Sequence, residues 1–238
     1  MSEFGAESQV LSRTEASAAV TSFGWRYVLG VARTTVQTGS LAEAARAAAE
    51  IAARCGEDAS GRLLVDIRDG YLILTVQNPD GGFAKREVEL VDQVSAIAIG
   101  LGLMMDARVA RAGSAAGRSV QVLEIAIDAI DIGSVRPFWR AVLGYGDEPG
   151  HAGPLDAIVD PAGQGPAIWF QQMTEPRLQR NRIHLDISVP HDEASARLDA
   201  ALRAGGVLVS DASAPAFWVL ADAEGNEVCI TTWQGRDD

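Results

Sequence analysis

The feature that most constrains this chain is a repeat in its second half, each copy about sixty residues long. Glu124-Ile-Ala-Ile-Asp128 leads into Ser134–Leu143 and then Gly144-Tyr145-Gly146, while His184-Leu-Asp-Ile-Ser188 leads into Asp192–Leu202 and then Gly205-Gly206. Each copy reads as a strand, a helix opened by a polar cap and closed by glycine, and further strands. Those strands end at Ala167–Gln171 in the first copy and at Glu227–Thr231 in the second. Two βαβββ modules follow. Because side chains alternate across a strand, Glu124, Ala126 and Asp128 share a face, as do Trp169 with Gln171, His184 with Asp186 and Ser188, and Glu227 with Cys229 and Thr231. Lining a cup, these faces would give an apolar wall at Trp169 with a few convergent polar groups, the usual makeup of a site for a planar or amphipathic small molecule.

The first half has a different rhythm. A polar lead-in precedes Phe23–Gln37, whose aromatic and β-branched content with partial alternation reads as a strand. Leu41–Arg54 is alanine-rich, with Ser40 placed as an N-cap and Gly56 just past the end, and reads as a helix. Leu63–Arg68 and Tyr71–Gln77 are apolar runs parted by Asp69-Gly70, a hairpin signal. Asn78-Pro-Asp-Gly-Gly82 is a loop, and Val88–Met105 repeats apolar residues at helical spacing. The small, polar stretch from Ala110 to Ser119 has no periodicity and is the expected linker. The expected fold is therefore α+β in two domains: an antiparallel sheet with helices over residues 10–109, and a duplicated βαβββ cup over residues 120–235.

Charge and cysteine content narrow the function classes. The formal net charge is −12, and neither half is basic: 11 basic and 14 acidic residues precede Gly117, while 9 basic and 18 acidic follow it. Nucleic acid and anionic lipid both demand concentrated Lys and Arg, so neither is an expected partner. Cys55 and Cys229 lie one in each half, which is neither a disulfide framework nor a paired zinc motif and fits a reducing cytoplasm. The longest apolar stretch, Ala96–Met105, is too short to span a bilayer.

Three local strings carry a resemblance. Phe138-Trp-Arg-Ala-Val-Leu-Gly-Tyr145, Asn181-Arg-Ile-His-Leu-Asp186 and Leu220-Ala-Asp-Ala-Glu-Gly-Asn-Glu-Val-Cys229 are similar to the signature stretches of the glyoxalase-like branch of the vicinal-oxygen-chelate superfamily. That superfamily includes glyoxalases, bleomycin-resistance proteins and extradiol dioxygenases. In its metal-dependent members each module supplies one ligand from its first strand and one from its last. The resemblance puts those places at Glu124, Trp169, His184 and Cys229. Trp cannot ligate a metal and a thiol replaces the usual carboxylate, so no cofactor is expected; Glu124, His184 and Cys229 would be the ligands of a metal if one bound. Glu124 and His184 are the candidate catalytic pair, acting as acid and base or simply orienting a ligand, with Trp169, Gln171, Asp186, Glu227 and Cys229 as candidate ligand contacts. A small-molecule binder or a lyase or isomerase is implied.

The first half resembles pterin-4a-carbinolamine dehydratase, on its element order, Trp25, Val65-Asp-Ile-Arg68 and Gly81-Gly-Phe83. That family dehydrates 4a-hydroxytetrahydropterin with histidines as acid and base, in a His-His-Pro stretch and a Thr-His pair. Here those places fall near Gly61-Arg-Leu63 and Gln77-Asn78, and no histidine occurs before His151. Without imidazole the dehydration chemistry is expected to be largely lost. Three readings stay open: a ligand site in the C-terminal cup, a dehydratase with an accessory domain, and a non-enzymatic scaffold for assembly. A homo-oligomer is expected in each.

Overall fold

The first element is a helix that hydrophobic periodicity does not announce but its capping residues do. In the computed structural model, which describes residues 9–109, 118–176, 179 and 183–235, helix α1 spans Arg13–Thr21. Ser12 Oγ accepts the Glu15 N–H at 3.2 Å and the Glu15 carboxylate accepts the Ser12 N–H at 2.9 Å, a complete capping box. The stretch expected as a polar lead-in is thus ordered helix, its Ala16 and Val20 buried.

The strand expected over Phe23–Gln37 is two strands, β1 (Arg26–Val28) and β2 (Val31–Gln37), paired antiparallel. Between them Leu29 and Gly30 both take positive φ, 45° and 80°, as a two-residue hairpin turn of matching twist requires. Leucine rarely adopts that conformation, so the turn carries no residue signal at its first position. Helix α2 (Leu41–Cys55) follows, with Ser40 Oγ accepting the Glu43 N–H. The hairpin of β3 (Leu63–Arg68) and β4 (Tyr71–Val76) forms about Asp69-Gly70. Helix α3 (Lys85–Gly100) stops short of the expected Met105, because Gly100 and Gly102, the latter at φ 71°, release the chain into β5 (Met104–Asp106). The sheet order is β1-β2-β4-β3, with β5 also against β2.

All three helices pack on one face of this sheet. Val36, Leu72 and Leu74 share a core with Val20, Ile51 and Val94. Trp25 is wholly buried there, and its indole N–H donates to Ser95 Oγ at 2.9 Å. Strands β6 (Arg108–Val109) and β7 (Arg118–Ser119) pair with each other, so 118–119 belong to a ribbon rather than a linker; residues 110–117 of the expected linker lie outside the described residues. The chain divides into two compact units between Val122 and Leu123.

The second unit is the repeat. Module one runs β8 (Glu124–Ala129), α4 (Ile132–Leu143), β9 (Gly146–Asp147), β10 (Ile158–Val159) and β11 (Ala167–Gln172); module two runs β12 (Leu185–Ser188), α5 (Ala194–Arg203), β13 (Val207–Ser210), β14 (Phe217–Ala221) and β15 (Glu227–Thr231). The sheet orders are β8-β11-β10-β9 and β12-β15-β14-β13, the same topology twice. In each, the first strand pairs parallel with the last and the remaining pairs are antiparallel. One core serves both modules, drawing on Ile127, Phe138 and Ile168 from the first and on Ala201, Leu220 and Ile230 from the second.

A polar staple fixes module two to module one. Asp222, in the β14–β15 turn and 2% exposed, accepts the Trp139 indole N–H at 2.9 Å through Oδ2. The same oxygen accepts from Asn226 Nδ2, while Oδ1 accepts the backbone N–H groups of Glu224 and Asn226. Glu224 then reaches back to the start of α4, its two oxygens accepting the N–H groups of Ile130 and Asp131 at 2.8 and 2.6 Å. Every group in this buried cluster has a partner, the condition under which a buried carboxylate is tolerated. No helix among the described residues is long and apolar enough to cross a membrane.

Candidate functional site

Burial along the strands of the second unit separates a core face from an open face. On β8, Ile127 and Ala129 are buried, whereas Glu124 and Ala126 are exposed and Asp128 is half-buried. On β11, Ile168 and Phe170 are buried, Gln171 is exposed, and Trp169 keeps 37% of its surface in solvent. The parallel register pairs Ala126 with Trp169 and Asp128 with Gln171. Glu124 and Asp128 therefore sit on the Trp169 face, one step along the strand to either side of its partner.

Module two repeats the pattern with a deeper floor. Register pairs Asp186 with Cys229 and Ser188 with Thr231, and the Ser188 and Thr231 hydroxyls lie 2.9 Å apart. Asp186 and Ser188 are exposed, Glu227 is half-buried, and Cys229 and Thr231 are buried; Val219 and Phe217 of β14 pair with Cys229 and Thr231. His184 is exposed and stands just ahead of β12, while Asn181 and Arg182 of the same signature string lie outside the described residues. The register thus sets Asp186 beside Cys229 and Ser188 beside Thr231, while His184 and Glu227 fall outside this β12–β15 register.

None of the eight strands of the unit contains Lys or Arg, while Glu124, Asp128, Asp186 and Glu227 lie on them. The described arginines of the unit, Arg136, Arg140, Arg197 and Arg203, all belong to α4 and α5.

The residues present do not fit a chelated metal. Trp169 occupies one of the four ligand places that the resemblance implies, and indole offers no lone pair to an ion. Among the described residues no three His, Cys, Asp or Glu side chains gather closely enough to hold a metal, so Glu124, His184 and Cys229 are not brought into one group. Cys229 is packed within β15 between Val228 and Ile230, both wholly buried. In the first unit, burial and the nearby Asp58 push the Cys55 thiol above its ordinary pKa, so it too is a poor thiolate.

Sequence reading missed the residues that hold the modules in place. Asp222 begins Asp222-Ala-Glu-Gly225, and module one carries Asp160-Pro-Ala-Gly163 in the equivalent turn. There Asp160 accepts the backbone N–H groups of Ala162, Gln164 and Gly165 at 2.8 to 2.9 Å. The repeated Asp-x-x-Gly was a visible signal that both turns are built on a carboxylate.

The second unit is a duplicated βαβββ arrangement with one sheet face left open. In keeping with that, residues 124–231 match the protein family described as "Glyoxalase-like domain". Solved structures similar to this chain include a glyoxalase/bleomycin resistance protein from Albidiferax ferrireducens T118, with 19% identity, covering 46% of this chain and 95% of that one at a TM-score of 0.36. A glyoxalase-related enzyme from Fulvimarina pelagi has 17% identity, covering 47% of this chain and 87% of that one at a TM-score of 0.39. A fosfomycin resistance protein from Mesorhizobium loti has 9% identity, covering 48% and 93% at a TM-score of 0.39. No curated protein matches the chain.

Proposed function

We propose that the glyoxalase-like unit binds a planar small molecule on the open face of its sheets, with Trp169 as the stacking surface. The observation that carries this reading is the Trp169 side chain itself, a large aromatic left 37% exposed on a strand whose neighbours Ile168 and Phe170 are buried. An exposed indole suits a flat ligand, through stacking. Gln171, Asp186 and Glu227 supply hydrogen-bond partners, and Cys229 contributes apolar floor. Glu124 and His184 orient the ligand; if the domain turns over its ligand as a lyase or isomerase, these two are the proton carriers.

The experiment is titration with a planar dye cation, acriflavine, followed by tryptophan fluorescence and thermal shift. Trp169→Ala is expected to weaken binding about tenfold or more, the worth of one stacked aromatic, while leaving the melting temperature of the free protein unchanged. Binding that survives W169A and Q171A together would remove the reading. Turnover is assayed with E124Q and H184N in the same ligand series.

For the first unit we infer a dehydratase-like scaffold that has lost its acid–base chemistry and serves assembly. The two stretches assigned to the missing histidines are neighbours, Gln77 N–H donating to the Arg62 carbonyl at 2.9 Å. Arg62 there is committed to Glu87, 3.1 Å away and 2% exposed, a fixed ion pair rather than a group that cycles a proton near neutrality. Dehydration of 4a-hydroxytetrahydropterin above the spontaneous rate would overturn this, as would a monomer by light scattering.

A further inference from the structure

The described arginines of the second unit lie on its helices. Three of its four described arginines gather around the C-terminal half of α4. Arg136, 7% exposed, donates through Nε to the Asp156 carbonyl at 2.8 Å and through Nη2 to Asp147 at 2.7 Å. Arg140, about half exposed, touches the same Asp147 oxygen at 3.4 Å. Arg197 donates to the Val142 carbonyl at 3.2 Å and lies so close to Gly144 that a Cβ there would sit 2.7 Å from its Nη1. One carboxylate thus answers two guanidinium groups, and a third stands alongside.

Two of these groups, Arg136 and Arg140, border a groove of about 470 Å³ lined also by Pro137, Ala141, Gly144 and Tyr145. Its size falls in the range that accepts small ligands. Pro137, Ala141 and the Tyr145 ring make the walls apolar, and the guanidinium groups supply the charge. Burial, and then the Asp160 carboxylate, raise the Tyr145 hydroxyl above its ordinary pKa, so it keeps its proton as a donor through the neutral range.

We propose that this groove is a second ligand site, for a small amphipathic anion whose carboxylate or phosphate head meets Arg140 and whose apolar body lies on Pro137, Ala141 and Tyr145. Of the two contacts to Asp147, the 3.4 Å one from Arg140 is the weaker and the one that an incoming anion displaces. Arg136 keeps its shorter bond and holds the groove in shape. The groove is built on α4 and not on the strands, so it is distinct from the site proposed on the sheet face.

The test uses the full chain with phenyl phosphate, benzoate and, as the uncharged counterpart, benzyl alcohol, read by calorimetry and by amide chemical shifts of Pro137's neighbours and Tyr145. Phenyl phosphate or benzoate is expected to bind saturably, more weakly as salt is added, and benzyl alcohol not to bind. Which anion binds tighter decides between phosphate and carboxylate heads. Arg140→Gln is expected to weaken binding about tenfold with unchanged circular dichroism, R140K to recover part of it, and W169A to leave it intact. No saturable binding by either anion, equal binding of benzyl alcohol, or loss in W169A with retention in R140Q would each overturn the proposal. The last outcome would assign the anions to the sheet face instead, and a failure of the sheet-face reading alone leaves the R140Q result unaffected.

Discussion

Asp222→Ala is expected to loosen the second unit by about 3–5 kcal/mol, and the structure shows where the cost arises. The carboxylate accepts four hydrogen bonds, and a buried bond to a charged acceptor contributes about 1.5–3 kcal/mol net. The backbone donors of Glu224 and Asn226 lie in a turn where Glu224 is exposed, so water replaces much of what they lose. Trp139 is 2% exposed, and its N–H would be stranded in the core at a cost of about 1–3 kcal/mol. Trp139→Phe removes the same bond from the other side while keeping an aromatic ring against Phe138, and should cost about 1–2 kcal/mol beyond the change in ring size. Because the stranded N–H does not exist in the double variant, the two losses should fail to add by about 1–2 kcal/mol. Denaturant-dependent amide hydrogen exchange along β15, read for wild type, both single variants and the double, measures each term. Additivity within about 0.5 kcal/mol would refute the staple, as would a loss below about 1 kcal/mol in D222A.

Leu29→Asn should stabilise the first unit by about 0.5–1 kcal/mol, since Leu29 holds φ 45° at a cost that Asn escapes and, being 51% exposed, gives up little packing; a lower melting temperature in L29N would contradict the turn geometry. Asp160 supplies a pH test. Burial alone would raise its carboxyl, but the N–H groups of Gly165, Ala162 and Gln164 together hold it below the ordinary aspartate value. A depressed carboxyl contributes stability that is fully present above the unfolded value of about 3.9 and lost as pH falls through the lower folded value. Melting curves recorded from about pH 6 down to about pH 2 should therefore fall less steeply for Asp160→Asn than for wild type, and parallel curves would refute the assignment.

The repeat was legible because the order of strand, helix and closing strands recurs, although α5 lacks the side-chain cap expected for it and α4 begins two residues early, capped by Asp131. Glu227–Thr231 is observed with the bounds expected, and Glu124–Asp128 and Ala167–Gln171 fall short by one residue each. What escaped were elements whose signal is local chemistry rather than hydrophobic rhythm. Helix α1 is announced by Ser12 and Glu15, three residues apart, with only Ala16 and Val20 buried in its nine residues. The β1–β2 turn uses Leu29 where Asn or Gly is usual, so the two strands read as one. Gly100 and Gly102 end α3, but the apolar run continues through them because β5 is apolar for another reason, its pairing with β2.

The site was legible by face and not by function, and the staple explains the difference. The signature strings that make residues 124–231 resemble a family include Trp139, Asp222, Glu224 and Asn226, and these residues bond one another to fix module two on module one. They specify how two βαβββ modules dock whatever the ligand. The exposed positions on the open face, by contrast, sit on strand surfaces where the core makes no demand, so Trp169 can stand there without disturbing the register on either side. Family likeness in this chain is therefore a statement about docking chemistry. The contacts proposed for a ligand, the exposed indole of Trp169 and the arginine groove on α4, lie outside that docking chemistry.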